Sequence, residues 1–225
     1  MVSLMDLEAR AAHHAAVGDP IRLAIVDELL RSDRSPSELG DLVGLPSNLL
    51  AHHLGVLEDA GIISRVTSSG DRRRRYIRAD VAVAASLGLG AEATGTGNVL
   101  FVCTHNSARS QLAAALWTEA TGTPALSAGT HPAERVQPGA IAAAGRVGID
   151  LGGARPRSID ELPPEPSTQV VTVCDRAHEE LPAPTEWWHW SIPDPATEDS
   201  PAAYDRALEM IADRISTITG GSPWN

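Results

Sequence analysis

The sequence contains no lysine; its eighteen basic residues are all arginine. It has two cysteines, one phenylalanine and two tyrosines, and no apolar run approaches the roughly 18 residues that a membrane helix needs. Each scarcity excludes something. Two cysteines cannot build a disulfide framework. The opening MVSLMDLEARAAHH carries acids where a secretory signal needs a long apolar stretch. The expectation is a cytoplasmic protein with reduced thiols and no membrane partner. A formal net charge of −11 repels nucleic acid and acidic membrane from the molecule as a whole, so any such binding must be local. What is present is 225 residues at 43% hydrophobic content, enough for one large domain or two small ones with a real core.

Residues 86–98, SLGLGAEATGTGN, are rich in glycine and small side chains and have no periodicity, so they read as a linker. Residues 1–92 carry 13 acids and 10 arginines (net −3), and residues 93–225 carry 16 acids and 8 arginines (net −8). No internal repeat crosses the seam. The expected division is a DNA-binding domain over residues 1–88, a linker over 89–97 and a second domain over 98–220.

The first half reads as short helices followed by a hairpin. In DPIRLAIVDELLRS, helical spacing puts Ile21, Ala24, Ile25, Glu28 and Leu29 on one largely apolar face. Ser35-Pro36-Ser37-Glu38 is a capping box with proline at the first helical position, opening a helix to about Leu42 and a turn through Gly44. The next helix, from about Pro46 to Ala60, is expected to bury Leu50, Leu54 and Leu57 and to expose Ser47, Asn48, Ala51 and His52. Two helices with a polar leading edge on the second are how a recognition helix meets a major groove. GIISRVTSSGDRRRRYIRAD then has two β-prone runs around Ser-Ser-Gly-Asp, a hairpin signal. A run such as Arg72, Arg73, Arg74 and Arg75 is as often a solvated face as a binding surface. Beside a helix-turn-helix, with Arg65 and Arg78 near, it reads as a basic wing that neutralises phosphates. The candidate DNA contacts are Ser47, Asn48, His52 and Arg72–Arg75. Neighbouring pairs His13-His14 and His52-His53 point in different directions on a helix, so neither is read as a metal site; His52 faces the groove and His53 packs in part.

LPSNLLAHHLGVLEDAGIISR and GDRRRRYIR resemble the winged helix-turn-helix of ArsR-type repressors over about residues 15–80. The resemblance implies a homodimer on double-stranded operator DNA. Such repressors often carry a Cys-x-Cys metal sensor before the recognition helix; SPSELGDL has no thiol there, and the late helix DVAVAASLGLG offers no histidine. Ala51 stands where a serine is typical. DNA binding is implied and metal sensing is not.

The second half alternates strand and helix: a strand at 98–102, a helix from about Arg109 with Leu112, Leu116 and Ala120 inward, a strand near 124–128, a helix near 137–147 and an apolar run QVVTVCD at 169–175. A last helix from Ser200-Pro201 turns Tyr204, Leu208, Ile211, Ile215 and Ile218 inward. This order predicts an α/β fold of three layers, a parallel sheet covered on both faces, with ligands at the carboxyl ends of the strands. Cys103 falls at such an end. Cys103-Thr104-His105-Asn106-Ser107-Ala108-Arg109-Ser110 is C-x5-R-S between strand and helix. Amides in such a turn converge into an anion nest, the helix start adds partial positive charge, and an arginine can clasp two oxygens of a tetrahedral oxyanion. The same field favours a thiolate. C-x5-R alone fits a buried cysteine in an ordinary turn equally well; the apolar strand before it and Ser110 after it separate the two. Residues 104–109 are therefore candidate oxyanion binders, with Cys103 as nucleophile. Asp194-Pro195, after WWHW, supplies a candidate acid for the leaving oxygen. Trp187, Trp188 and Trp190 read as packing.

VLFVCTHNSARSQLAAALW, SAGTHPAERVQPGAIAAAGRVGID, VVTVCDRAHEELP and HWSIPDPA together resemble the low-molecular-weight tyrosine phosphatase fold in its arsenate reductase branch, over about residues 98–219. The resemblance implies that Cys103 is the nucleophile, Arg109 the oxyanion clamp, Ser110 the residue that tunes the thiolate, Asp194 the acid and Asn106 the brace of the loop. Tyrosine phosphatases of this fold carry a second cysteine before the loop arginine and aromatics after Asp-Pro; Ala108 and Ala196-Thr197 stand here. Cys174 matches the relay cysteine of thioredoxin-coupled reductases, but their third cysteine is Leu181. Either Cys103 and Cys174 pair directly, or a small external thiol takes the arsenic, as in the mycothiol-coupled members, which fits an all-arginine, alanine-rich composition. A buried structural role for Cys174 stays open. The function expected is a fused transcriptional regulator and thiol-dependent arsenate reductase with no bound cofactor or metal. The alternatives are a tyrosine phosphatase acting on phosphate esters and a repressor that senses an oxyanion without turnover.

Overall fold

The protein, described by a computed structural model over residues 4–90 and 97–220, folds as two compact units. Of the expected linker, residues 91–96 lie outside the described residues.

The first unit runs α1 (Leu4–Val17), α2 (Pro20–Arg31), α3 (Pro36–Val43), α4 (Ser47–Asp59), β1 (Ile63–Thr67), β2 (Arg75–Ala79) and α5 (Val81–Ser86). Asp19 caps α2 by accepting from the amides of Ile21 and Arg22, both at 3.0 Å. Ser35 and Glu38 close the capping box of α3 reciprocally, which satisfies two helix-end donors and is worth about 1 kcal/mol. Gly44 ends α3 at φ 67°, a left-handed conformation that favours glycine. From α4, Leu50, Leu54 and Leu57 enter a core with Ile25, Val26, Leu29, Leu30, Leu39, Ile62 and Ile77. The stripe of α2 differs from the expected one: Ala24 is exposed, Ile21 and Glu28 are half-buried, and Val26 and Leu30 join Ile25 and Leu29 inside. IRLAIVDELL is apolar at nearly every turn, so spacing alone offers two adjacent stripes, and tertiary packing selects one. β1 and β2 pair antiparallel from Ile63↔Ala79 to Thr67↔Arg75, and Arg34 adds a bridge to Ile77 through amide–carbonyl bonds of 2.7 and 3.2 Å.

The second unit runs β3 (Val99–Cys103), α6 (Arg109–Thr121), β4 (Leu126–Gly129), α7 (Pro138–Arg146), β5 (Gln169–Thr172), α8 (Asp175–Glu180), β6 (Trp188–His189), α9 (Pro195–Glu198) and α10 (Pro201–Thr219). The four strands form one parallel sheet in the order β4-β3-β5-β6. All five residues of β3 are buried, as a strand covered on both faces requires. The strand begins and ends one residue later than sequence spacing indicates, so Cys103 is its last residue, and β4 is likewise displaced to Leu126–Gly129. Leu112 and Leu116 are buried as expected, while Ala120 is only half-buried; Gln111, Ala113, Ala114 and Trp117 are buried too, because α6 is enclosed on several sides. Tyr204, Leu208, Ile211, Ile215 and Ile218 of α10 all face inward. From β3 the chain winds to β4 on one side, and β5 starts the other direction toward β6. The loops after β3 and β5 therefore part at a switch point, where such sheets open a crevice for ligands.

Candidate functional site

Cys103 opens the crevice at the end of β3, and residues 104–108 form a tight loop into α6. The loop's carbonyls are committed to the surrounding chain. Those of Cys103, Thr104, His105 and Ser107 accept from the amides of Thr130, His131, Ala133 and Gln137, and that of Asn106 accepts from the Gln111 side chain. The amides of Thr104, His105, Ser107 and Ala108 find no acceptor among the described residues. Carbonyls turned outward and amides without acceptors are the arrangement of an anion nest. Ala108, at the N-cap of α6, offers no side-chain cap, so the helix start remains a donor surface.

Asn106 is the pivot. It adopts φ 47°, which Asn tolerates better than most side chains. Its amide donates to the Cys103 sulfur at 3.2 Å and its Nδ2 donates to Ser110 Oγ at 2.8 Å. Ser110 Oγ lies 3.0 Å from Cys103 Sγ. Asn106 Oδ1 accepts from the Arg157 amide at 2.8 Å and from Gln111 Nε2 at 3.1 Å. Gly129 makes room for this turn: a Cβ there would lie 2.8 Å from Thr104 O and 2.9 Å from Asn106 N.

The Arg109 guanidinium is buried at the mouth. Nη1 donates to Ile192 O at 3.0 Å and Nη2 to Asp194 Oδ2 at 2.8 Å. Burial opposes its charge, but Cys174, Cys103, Asp194 and Asp175 together outweigh that and raise its pKa. Asp194 is about one-third exposed; its other oxygen accepts from Ala196 N as the cap of α9. Cys174 lies beyond the end of β5 as the N-cap of α8, 3.4 Å from Thr104 Oγ1 and from the Ala177 amide. Burial pushes the Cys174 thiol up, with Cys103 adding to the shift and Arg109 opposing it, which favours the neutral thiol. The structure thus brings Cys103, Asn106, Arg109, Ser110 and Asp194 to one end of the sheet, with Cys174 behind Thr104. Thr104, Ser107 and Ala108 are buried in the loop wall and His105 is exposed.

Several residues of this region carry no signal in the sequence. Gln111 and Gly129 brace the loop as described. Beneath Cys174, Thr172 Oγ1 lies 3.0 Å from Nδ1 of both His178 and His189, whose rings stack at 4.2 Å, and His189 Nε2 bonds Asp175 at 3.0 Å. Burial would raise the Asp175 pKa, but the hydrogen bonds the carboxylate accepts, that from His189 foremost, outweigh it and hold the carboxyl well below its usual range. Trp190 is wholly buried and Trp187 and Trp188 are half-buried.

In the first unit, Ser47, Asn48, Ala51 and His52 are exposed along α4 and His53 is buried. Arg72, Arg73, Arg74 and Arg75 are exposed on the hairpin. Arg78 is held by Asp33 at 3.1 Å and Arg65 by Glu58 at 2.9 Å, so these two serve the fold. Among the described residues, no group of three or more His, Cys, Asp or Glu is placed to hold a metal ion, and no helix is long and apolar enough to cross a membrane.

The sheet order and the thiol-bearing loop define a class: residues 98–219 match the family of low molecular weight phosphotyrosine protein phosphatases, and the chain belongs to it. Residues 17–66 match a helix-turn-helix domain. Within that class the similarity is to arsenate reductases. The arsenate reductase of Halalkalibacterium halodurans is 33% identical over 130 residues, which span 53% of this chain and 93% of that protein. Arsenate reductase 1 of Staphylococcus haemolyticus is 36% identical over 124 residues, 52% of this chain and 90% of that protein. The crystal structure of arsenate reductase from Archaeoglobus fulgidus is 35% identical, with a TM-score of 0.47 over 54% of this chain and 98% of that one.

Proposed function

We propose that the second unit reduces arsenate, with Cys103 as nucleophile and an external thiol as reductant, and that the helix-turn-helix unit binds operator DNA as a cytoplasmic homodimer. The observation that carries the enzymatic reading is the chain Asn106–Ser110–Cys103 inside a loop where the amides of Thr104, His105, Ser107 and Ala108 have no acceptor among the described residues. The Cys103 thiolate attacks arsenic(V) and forms a sulfur–arsenic bond. The departing hydroxyl of arsenate takes a proton from Asp194, its bond to arsenic breaks and it leaves as water, while Arg109 clasps two of the remaining oxygens. An external thiolate then attacks arsenic, the bond from arsenic to Cys103 breaks and Cys103 is freed as a thiolate. A second external thiolate attacks the sulfur of that arsenic–thiol adduct, the sulfur–arsenic electron pair passes to arsenic, arsenite leaves, and the two external thiols leave as a disulfide. Two thiols are oxidised for each arsenate reduced.

Two observations favour reduction over phosphate-ester hydrolysis: the relatives of 33% and 36% identity are arsenate reductases, and Ala108 and Ala196-Thr197 stand at the phosphatase-specific positions. Leu181, where a third thiol would complete a thioredoxin relay, favours a small thiol of the mycothiol kind. The exposed Ser47, Asn48 and His52 on α4 and Arg72–Arg75 on the hairpin support groove and phosphate contacts. The test is arsenate turnover with mycothiol and with thioredoxin, beside hydrolysis of an aryl phosphate. Arsenite formed with mycothiol is the expected result. Aryl phosphate hydrolysis without arsenite would assign a phosphatase. Turnover of neither, with arsenate changing DNA affinity, would assign an oxyanion-sensing repressor.

A further inference from the structure

We infer that the second unit has a second anion site, separate from the Cys103 cradle, in the cleft where Arg155 and Arg157 face α6. The cleft has a volume of about 360 Å³. Its walls are α6, through Gln111, Ala115 and Thr118, then Ser127 of β4, and the segment carrying Arg155 and Arg157. Three observations converge on a ligand. Although the chain carries a net charge of −11, no carboxylate lines this cleft. The guanidinium groups of Arg155 and Arg157 are exposed and have no ion-pair or hydrogen-bond partner among the described residues. Ser127 is 6% exposed, lines the cleft, and its hydroxyl has no partner among the described residues. That hydroxyl is reached from the cleft and is open to a ligand oxygen. Two planar forks and one hydroxyl are donors matched to the oxygens of a phosphate or sulfate group. The cleft leaves room beyond such a head for a small organic substituent, so the ligand class is a free oxyanion or a small phosphomonoester.

The two arginines touch the catalytic loop and its brace through their backbone, and Gln111 on the cleft wall reaches Asn106 through its side chain. The Arg157 amide holds Asn106 Oδ1 at 2.8 Å, the Arg157 carbonyl accepts from Gly129 at 2.9 Å, and the Arg155 carbonyl accepts from Gln111 at 3.1 Å. An anion that fixes the two side chains therefore steadies the segment that holds Asn106. Binding here does not depend on which reaction Cys103 performs.

The test uses the full chain with Cys103 carboxymethylated, so that a carboxylate fills the cradle, and titrates it with sulfate and with glycerol 2-phosphate at constant ionic strength. One saturable equivalent is expected, weakened about tenfold or more in Arg155→Gln/Arg157→Gln. Ala115→Glu, which puts a carboxylate on the wall, should weaken it similarly and guards against a folding effect of the arginine changes. Amide exchange at residues 105–108 of the carboxymethylated chain should slow on binding. Tighter binding of glycerol 2-phosphate assigns a phosphomonoester, and equal binding assigns the free oxyanion. No saturable binding to the blocked chain, or binding that both variants leave unchanged, would overturn the site.

Discussion

Ser110 Oγ stands between two partners, 2.8 Å from Asn106 Nδ2 and 3.0 Å from Cys103 Sγ. Because Asn106 donates to the hydroxyl oxygen, the hydroxyl proton is left for the sulfur. Ser110→Ala removes that donor while Asn106 N still reaches Sγ at 3.2 Å. A hydrogen bond to a charged group is worth about 1.5–3 kcal/mol, so alkylation of Cys103 by iodoacetamide at neutral pH should slow about tenfold with unchanged circular dichroism. An unchanged rate would mean that the sulfur does not depend on the hydroxyl.

Gly129→Ala should disturb the same loop from the other side. The added methyl meets backbone atoms of Thr104 and Asn106 at 2.8 and 2.9 Å, neither of which can swing away as a side-chain tip could. Overpacking of this kind costs about 1–3 kcal/mol, read as a lower midpoint of thermal unfolding, and arsenate turnover should fall with it. A variant as stable and active as the parent would show that the loop shifts without cost.

The two thiols have separate roles. Cys103→Ser should abolish arsenate reduction and any aryl phosphatase activity, since an alcohol there is far less ionised. Cys174→Ser should retain most reduction when a small thiol is supplied, and should leave hydrolysis intact because water does that work. If Cys174→Ser stops reduction while sparing hydrolysis, the two cysteines pair directly and the external thiol acts later.

The buried Asp175–His189 bond makes part of the stability pH-dependent. The folded Asp175 pKa lies below the unfolded value of about 3.9, so its contribution is complete above that value and is lost as pH falls through the folded pKa. Denaturant unfolding should show the parent more stable than Asp175→Asn at pH 7, with the gap narrowing as pH drops below about 4. A gap independent of pH would mean that the carboxylate charge is not what stabilises.

For the hairpin, replacing Arg73 and Arg74 by alanine should weaken binding to operator and unrelated DNA alike. The slope of log affinity against log salt should shrink by about 0.9 for each phosphate no longer neutralised. An unchanged slope would return the run to a solvated face. Light scattering should report a dimer at micromolar concentration; a monomer both with and without DNA removes the two-half-site arrangement.

Local chemistry made much of this legible. The box at Ser35–Glu38, the αL glycine at position 44, the wholly apolar β3 and the C-x5-R-S loop each state their structure within a few residues. The misses have a common physical source. The stripe of α2 shifted from Ala24 to Val26 and Leu30 because a helix with apolar residues on more than one face is oriented by its neighbours, not by its own period. The bracing of Asn106 by Arg157 spans 51 positions, and the pairing of Arg109 with Asp194 spans 85. No spacing rule reaches that far; only the parallel sheet brings such segments together.

Trp190 packs against Phe101, ring centroids 5.6 Å apart, two residues before Cys103 on β3. All five tryptophans and the lone phenylalanine fall after residue 100, and Tyr76 is the only Phe, Trp or Tyr before it. The two halves therefore have different optical signatures. Tryptophan emission follows the thiol-bearing half alone, whereas far-ultraviolet dichroism sums over both. Whether the halves melt together or in sequence can be read from one unlabelled, unsubstituted sample.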